Sequence, residues 1–183
     1  MIGIGSDHNG WDLKQRLLAH LAERGEDVWD FGSSSDEPVD YPDIAAAVAR
    51  AIQVGLIERG ILVCRSGLGM AIAAGKTPGV YAVPVTDTFT ARLARERNNA
   101  SIITLGAAVV GPGRACAIVD AWLDAAFRGG ESARKIEKIR VLERQQLAAA
   151  QAAGGGVRWL RSLRFYWRTW SDRFRSAISL CAQ

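Results

Sequence analysis

Residues 1–150 alternate between short apolar runs and longer segments of helical pattern. Ile2–Ser6 reads as a strand and Trp11–Arg24 as an amphipathic helix closed by Gly25. Val28–Phe31 is a second strand. The Ala-rich segment Asp43–Gly55 follows Pro42, a residue suited to a helix start, and predicts a helix. Gly60–Cys64 is unbroken in its apolar character, as expected of a strand covered on both faces. Ser66–Lys76 predicts a helix, and Val80–Val85 and Ser101–Leu105 two further strands with a helix at Asp87–Asn98 between them. Helices at Gly113–Phe127 and about Ser132–Gln151 complete the series.

Strands that alternate with helices through short connections pair in parallel, by right-handed crossovers. The expectation is a Rossmann-like α/β/α sandwich of three layers around a five-stranded parallel sheet, occupying residues 1–153. Ligands of such sheets bind beyond the carboxyl ends of the strands. The loops after Ser6, Phe31, Cys64, Val85 and Leu105 are therefore where chemistry is to be sought.

Gly154-Gly155-Gly156 interrupts the pattern and reads as a linker. Residues 157–183 hold six arginines against one acid, Asp172, together with three of the chain's six tryptophans. Drawn as a helix, Leu160, Leu163, Trp167, Trp170, Phe174, Ile178 and Cys181 share one face, with Phe165 the misfit. The formal net charge of +4 therefore belongs to the tail and says nothing of nucleic-acid binding by the main domain. A basic Trp-rich helix could lie on an anionic membrane surface, pack on a partner subunit or bind nucleic acid non-specifically. The plainer reading, a poorly ordered extension or a reading-frame artefact, is preferred.

With 49% hydrophobic and 23% charged residues the chain is not of disordered type. No apolar run is long enough to span a bilayer, and the N-terminus reads as a strand rather than a signal segment. Three cysteines, Cys64, Cys116 and Cys181, suggest a reducing, cytoplasmic setting rather than a disulfide framework. The spacing of His, Cys and carboxylates matches no metal site.

Three segments carry candidate chemistry. Ser6-Asp7-His8-Asn9-Gly10 follows the first strand and offers a carboxylate and an imidazole; equally, Asp7 or Asn9 would cap the next helix. In Cys64-Arg65-Ser66-Gly67-Leu68-Gly69 a buried strand ends in Cys and a glycine-rich turn opens a helix. Backbone N–H groups at such a turn bind oxyanions, and a helix start favours the thiolate, a usable base or nucleophile. The alternative there is a core cysteine. Arg95-Glu96-Arg97-Asn98-Asn99 ends a helix, where Asn either bonds a sugar hydroxyl or terminates the helix. His20 reads as a surface or packing residue and Cys116, in an apolar helix, as a core residue.

Taken in order, these segments resemble the ribose-5-phosphate isomerase B and galactose-6-phosphate isomerase family from about Met1 to Ile139. The resemblance adds Asp40-Tyr41-Pro42, Val109-Val110-Gly111 and Ile118-Val119-Asp120-Ala121-Trp122-Leu123. It implies a homodimer or tetramer with active sites shared between subunits, no metal or organic cofactor, and aldose–ketose isomerisation through an enediolate. Cys64 stands at the thiol base; a branch with a Glu base places it where this chain has Met70. Ser66 and the amides around Gly67 and Gly69 would hold the enediolate oxygens, and Asp7 the substrate hydroxyls. His8 would contact the phosphate, Asn98 would lie near the reacting carbons, and Tyr41 belongs to the substrate-binding set.

The chain departs from that pattern at several positions. Arg97 stands where the family has its ring-opening histidine. Ala108, Glu131 and Lys135 stand at phosphate-binding arginines, Arg65 at a glycine and Gly75 at an asparagine. One reading is that Arg65, Arg97, Arg134 and Lys135 rebuild an anion site, with a substrate such as erythrose/erythrulose 4-phosphate that never closes on its phosphorylated oxygen. The other is a weak or non-catalytic sugar-phosphate-binding relative. A nucleotide-binding domain is disfavoured, because the glycine turn follows the third strand without Rossmann spacing.

Overall fold

The computed structural model describes residues 1–33 and 37–152; the linker and tail at 154–183 lie outside the described residues. In chain order the elements are β1 (Ile2–Ser6), α1 (Trp11–Glu23), β2 (Val28–Asp30), α2 (Tyr41–Gln53), β3 (Arg59–Cys64), α3 (Leu68–Ala74), β4 (Ala82–Pro84), α4 (Thr88–Asn98), β5 (Ile102–Gly106), α5 (Pro112–Leu123) and α6 (Gly130–Ala152). A 3-10 turn, His8–Gly10, leads into α1 and has no counterpart in the sequence reading. The chain divides into two units, Met1–Arg140 and Val141–Gln183. The sheet lies in the first.

Side-chain alternation along the central strands decides what each layer holds. Ile2 and Ile4 of β1, Ile61 and Val63 of β3, and Ile103 and Leu105 of β5 join one core with Leu13, Leu17 and Leu21 of α1, Ala91 and Ala94 of α4, and Ile118, Val119 and Trp122 of α5. Leu62 and Cys64 of β3 and Ile102 of β5 join a second core with Ala45, Val48 and Ala49 of α2 and Met70 and Ala74 of α3. These are the three layers expected from the sequence. The five strands are all parallel, in the order β2-β1-β3-β5-β4.

That order creates the crevice. The chain leaves β1 and β5 for the face that carries α1 and α5, but leaves the intervening β3 for the face that carries α3. The carboxyl end of β3 is therefore flanked by two departing helices and left uncovered on their side, as at a topological switch point.

Element boundaries moved for local reasons. Gly67, at φ 81°, delays α3 to Leu68, and the helix ends at Ala74, capped by Gly75, rather than at Lys76. The first turn of α2 takes in Tyr41 ahead of Pro42. β4 keeps three residues and ends in Pro84, which an edge strand tolerates; Val80 and Val85 are buried outside it. Asp87 stays outside α4 because its side chain accepts the Thr90 N–H at its start. α5 ends at Leu123, short of Phe127. Among the described residues no helix is long and apolar enough to cross a membrane.

Candidate active site

Cys64 ends β3 with its side chain in the α2/α3 core and is 5% exposed. Its sulfur is not idle there: the Gly67 N–H donates to Sγ at 3.2 Å. The turn is clamped from behind. Thr104 Oγ1 donates to the Gly67 carbonyl at 2.7 Å, and the Ala107 and Ala108 amides donate to the Cys64 and Arg65 carbonyls at 2.8 and 3.0 Å. The first intrahelical bond of α3 runs from the Ala71 amide to the Gly67 carbonyl, which leaves the Leu68, Gly69 and Met70 amides ahead of the helical ladder. Ser66 Oγ accepts the Leu68 N–H at 3.4 Å and is exposed. Tyr41, at the start of α2, lies over Gly69; a Cβ there would come within 2.8 Å of its ring.

The loop after β1 adjoins this turn. The Asp7 amide donates to the Val63 carbonyl at 3.2 Å, and Asp7 Oδ1 accepts the Gly10 N–H at 3.0 Å. Asp7 thus caps the 3-10 turn rather than α1, which starts from Gly10 without a side-chain cap, and Oδ2 takes no bond from the described residues. His8 Nδ1 accepts the Val39 N–H at 3.4 Å, and Nε2 lies 2.9 Å from the Asn9 side-chain amide. Among the described residues no group of three or more His, Cys, Asp or Glu side chains is arranged to hold a metal ion.

Cys64, Arg65, Ser66, Gly67, Gly69, Asp7, His8 and Tyr41 therefore share the carboxyl end of the sheet. Arg97, Asn98 and Lys135 do not. α4 ends just before β5, whose first residue pairs with Gly60; Cys64 lies four residues further along β3, about 13 Å away. α6 starts on the same amino side: the Arg128 amide donates to the Glu96 carbonyl, and Arg140 lies close to Tyr81, just ahead of β4. Lys135 sits between those two anchors. Within one chain these three residues are thus at the opposite edge from the thiol. Asn99, at φ 49°, closes α4 and accepts from Arg95 at 2.8 Å, a terminating role.

Sequence reasoning missed two residues of this end. Lys14 is fully buried, and its ammonium reaches Asp30 Oδ1 and Oδ2 at 2.8 and 2.7 Å and the Ser33 carbonyl at 2.6 Å, which ties α1 to the loop after β2. Arg16 lines the uncovered cleft, about 410 Å³, together with Asn9, Asp12, Arg65, Ala108 and Pro112. No motif marked either residue; each is one polar position on an amphipathic helix. His20 is a partly exposed residue that bonds Asp120 at 2.7 Å, and Cys116 packs half-buried against the core rather than inside it; burial, then the Asp120 charge, pushes its thiol up.

Fold and site together define an α/β enzyme of the aldose–ketose isomerase class. A ribose-5-phosphate isomerase B from Listeria innocua is 42% identical over 144 residues, covering 79% of this chain and 97% of its own. A D-erythrulose-4-phosphate isomerase from Pectobacterium atrosepticum is 45% identical over 147 residues, covering 79% and 96%. The solved structure of Clostridium thermocellum ribose-5-phosphate isomerase B superposes with a TM-score of 0.78 at 47% identity, covering 79% of this chain and 98% of that one. The ribose/galactose isomerase family model matches residues 2–139, and the chain belongs to that family.

Proposed function

We propose that the chain interconverts an aldose phosphate and a ketose phosphate of the ribose 5-phosphate/ribulose 5-phosphate type, with the Cys64 thiolate as base. The observation that carries the reading is the Gly67 N–H at 3.2 Å from Sγ, at a strand end beside amides that precede the α3 ladder. The thiolate takes the proton from C2 of the open-chain aldose. The C–H electron pair forms the C1–C2 double bond, and the carbonyl electrons move to O1. The enediolate oxygens meet Ser66 and the Gly69 amide, which stabilises charge where it develops. Return of the proton to C1, with transfer of the O2 proton to O1 assisted by Asp7, yields the ketose. Asn98, Arg97 and Lys135, at the far edge of the same chain, would reach this substrate from a second copy, so a homodimer or a tetramer with shared sites is part of the proposal.

A second reading concerns the sugar. Arg97 supplies no ring-opening acid, and a tetrose 4-phosphate needs none because it cannot close on its phosphorylated oxygen. The Pectobacterium relative is named for such a substrate, and its identity to this chain is on a par with that of the ribose-phosphate relatives. The test is turnover of ribose 5-phosphate against erythrose 4-phosphate by wild type and Cys64→Ala, with circular dichroism as the folding control. Loss of turnover on both substrates in a folded variant is expected. A folded Cys64→Ala that keeps wild-type turnover removes the thiol mechanism, and faster turnover of ribose 5-phosphate removes the tetrose reading.

A further inference from the structure

We infer that Arg16 and Arg65 seat the phosphate group of the substrate, in the cleft that the strand order leaves open between α1 and α5. The identity of the ligand rests on the isomerase reading above; the anion site does not.

The cleft, about 410 Å³, falls within the range of small-ligand sites. It touches the reacting end through the backbone: Arg65 directly follows Cys64, and Asn9, on the opposite wall, follows His8 and bonds its ring at 2.9 Å. Small side chains at Ala107 and Ala108 leave the space open, and their amides hold the Cys64 and Arg65 carbonyls, so the Arg65 backbone is fixed. A substrate lying across the end of β3 would have its reacting carbons beside the thiol on the α3 side and its phosphate over the cleft on the α1 side.

The charges agree. Two guanidinium groups face one carboxylate, Asp12, which leaves net positive charge for a dianion. Neither arginine makes an ion pair or a side-chain hydrogen bond with the described residues. That is unlike Arg24, Arg59, Arg95 and Arg128, each of which donates to an oxygen of the protein. Asp12, one helical turn before Arg16, does not pair with it either. A planar fork with free donors suits phosphate oxygens, and the walls at Leu13, Val110 and Pro112 are apolar, which limits screening by water.

Inorganic phosphate is the probe. Its affinity is measured by calorimetry on full-length Cys64→Ala, where no turnover intervenes, and as competitive inhibition of the wild-type isomerase. Arg16→Ala and Arg65→Ala should each weaken phosphate and raise KM by about 10- to 100-fold, with a smaller effect on kcat, as charge-assisted bonds of this kind predict. Arg16→Lys should recover part of the loss. Asp12→Asn should tighten phosphate, and Arg92→Ala, a remote exposed arginine, should leave it unchanged. Phosphate affinity within twofold of wild type in both Arg16→Ala and Arg16→Lys overturns the inference, as does an equal loss in Arg92→Ala. Arg16-dependent phosphate binding in a chain that turns over no sugar phosphate sinks the isomerase reading and leaves the anion seat standing.

Discussion

Alanine at Gly67 and alanine at Gly25 isolate what the turn after β3 does. Both glycines are left-handed, at φ 81° and 75°, so either substitution meets the same backbone penalty of roughly 1–2 kcal/mol, offset in part by the lower entropy of the unfolded chain. At Gly25 a Cβ would meet nothing within 4 Å, and the cost stops there. At Gly67 it would lie 3.1 Å from the Leu105 carbonyl carbon, 3.2 Å from the Gly106 nitrogen and 3.3 Å from the Thr104 oxygen. All three are backbone atoms of β5, which is paired with β3 through Gly106 and with β4 through Thr104, so they have little room to retreat. The turn must rotate instead. Rotation pulls the Gly67 carbonyl from Thr104 Oγ1, leaving a buried hydroxyl without its acceptor at about 1–3 kcal/mol, and swings the Gly67 N–H away from Cys64 Sγ. The expectation for Gly67→Ala is a loss of about 2–4 kcal/mol in urea unfolding, with kcat falling at least tenfold. Gly25→Ala should lose about 1 kcal/mol and keep its kcat. Circular dichroism through the transition and a coupled ketose assay on the same samples measure both quantities. Equal stability losses in the two variants, or full activity in a folded Gly67→Ala, would refute the claim that the turn is held against β5 in order to serve the sulfur.

Two further outcomes follow from ion pairs and caps. Lys14 is fully buried while Asp30 is 38% exposed, so the pair should break asymmetrically: Lys14→Met leaves a carboxylate that can hydrate and should cost about 1–2 kcal/mol, whereas Asp30→Ala strands a buried ammonium and should cost about 3–5 kcal/mol; urea midpoints of the two variants check the order. Asp87 caps α4, and the Thr90 backbone N–H, then the Thr90 hydroxyl, hold its carboxyl below the ordinary value of 3.8. A depressed folded pKa stabilises above the unfolded value and is lost as pH falls through the folded one, so the stability gap between wild type and Asp87→Asn should be present at neutral pH and close below about pH 4 in melting scans.

What the sequence discloses and what it hides divide along the range of the interactions. The Cys64 turn is legible because everything that makes it is local: an apolar strand, a thiol at its end and a left-handed glycine three residues on. The layer order is legible for the same reason, since period-two and period-3.6 patterns fix which side chains face inward before any contact is known. Lys14 is not legible, because a lysine on an amphipathic helix is ordinarily solvated; only the return of β2 beside β1 brings Asp30 and the Ser33 carbonyl to its ammonium. Arg16 is hidden by strand order. Nothing between Trp11 and Glu23 announces that β3 will insert between β1 and β5 and send its helix to the other face, yet that exchange turns a surface arginine into one wall of a cleft. Arg97, Asn98 and Lys135 show the converse. Their place in the family resemblance suggests proximity to Cys64, but parallel strands carry the end of each preceding helix to the amino edge of the sheet, away from the carboxyl edge where the thiol lies. A chain that needs both edges at one substrate has to meet another copy of itself, carboxyl edge to amino edge, and two-fold symmetry would make that contact twice. Within each copy, Arg16 and Arg65 line the cleft without help from a partner, so if turnover draws on a second copy as proposed, phosphate capture by the carboxyl edge should persist at dilutions where turnover falls away.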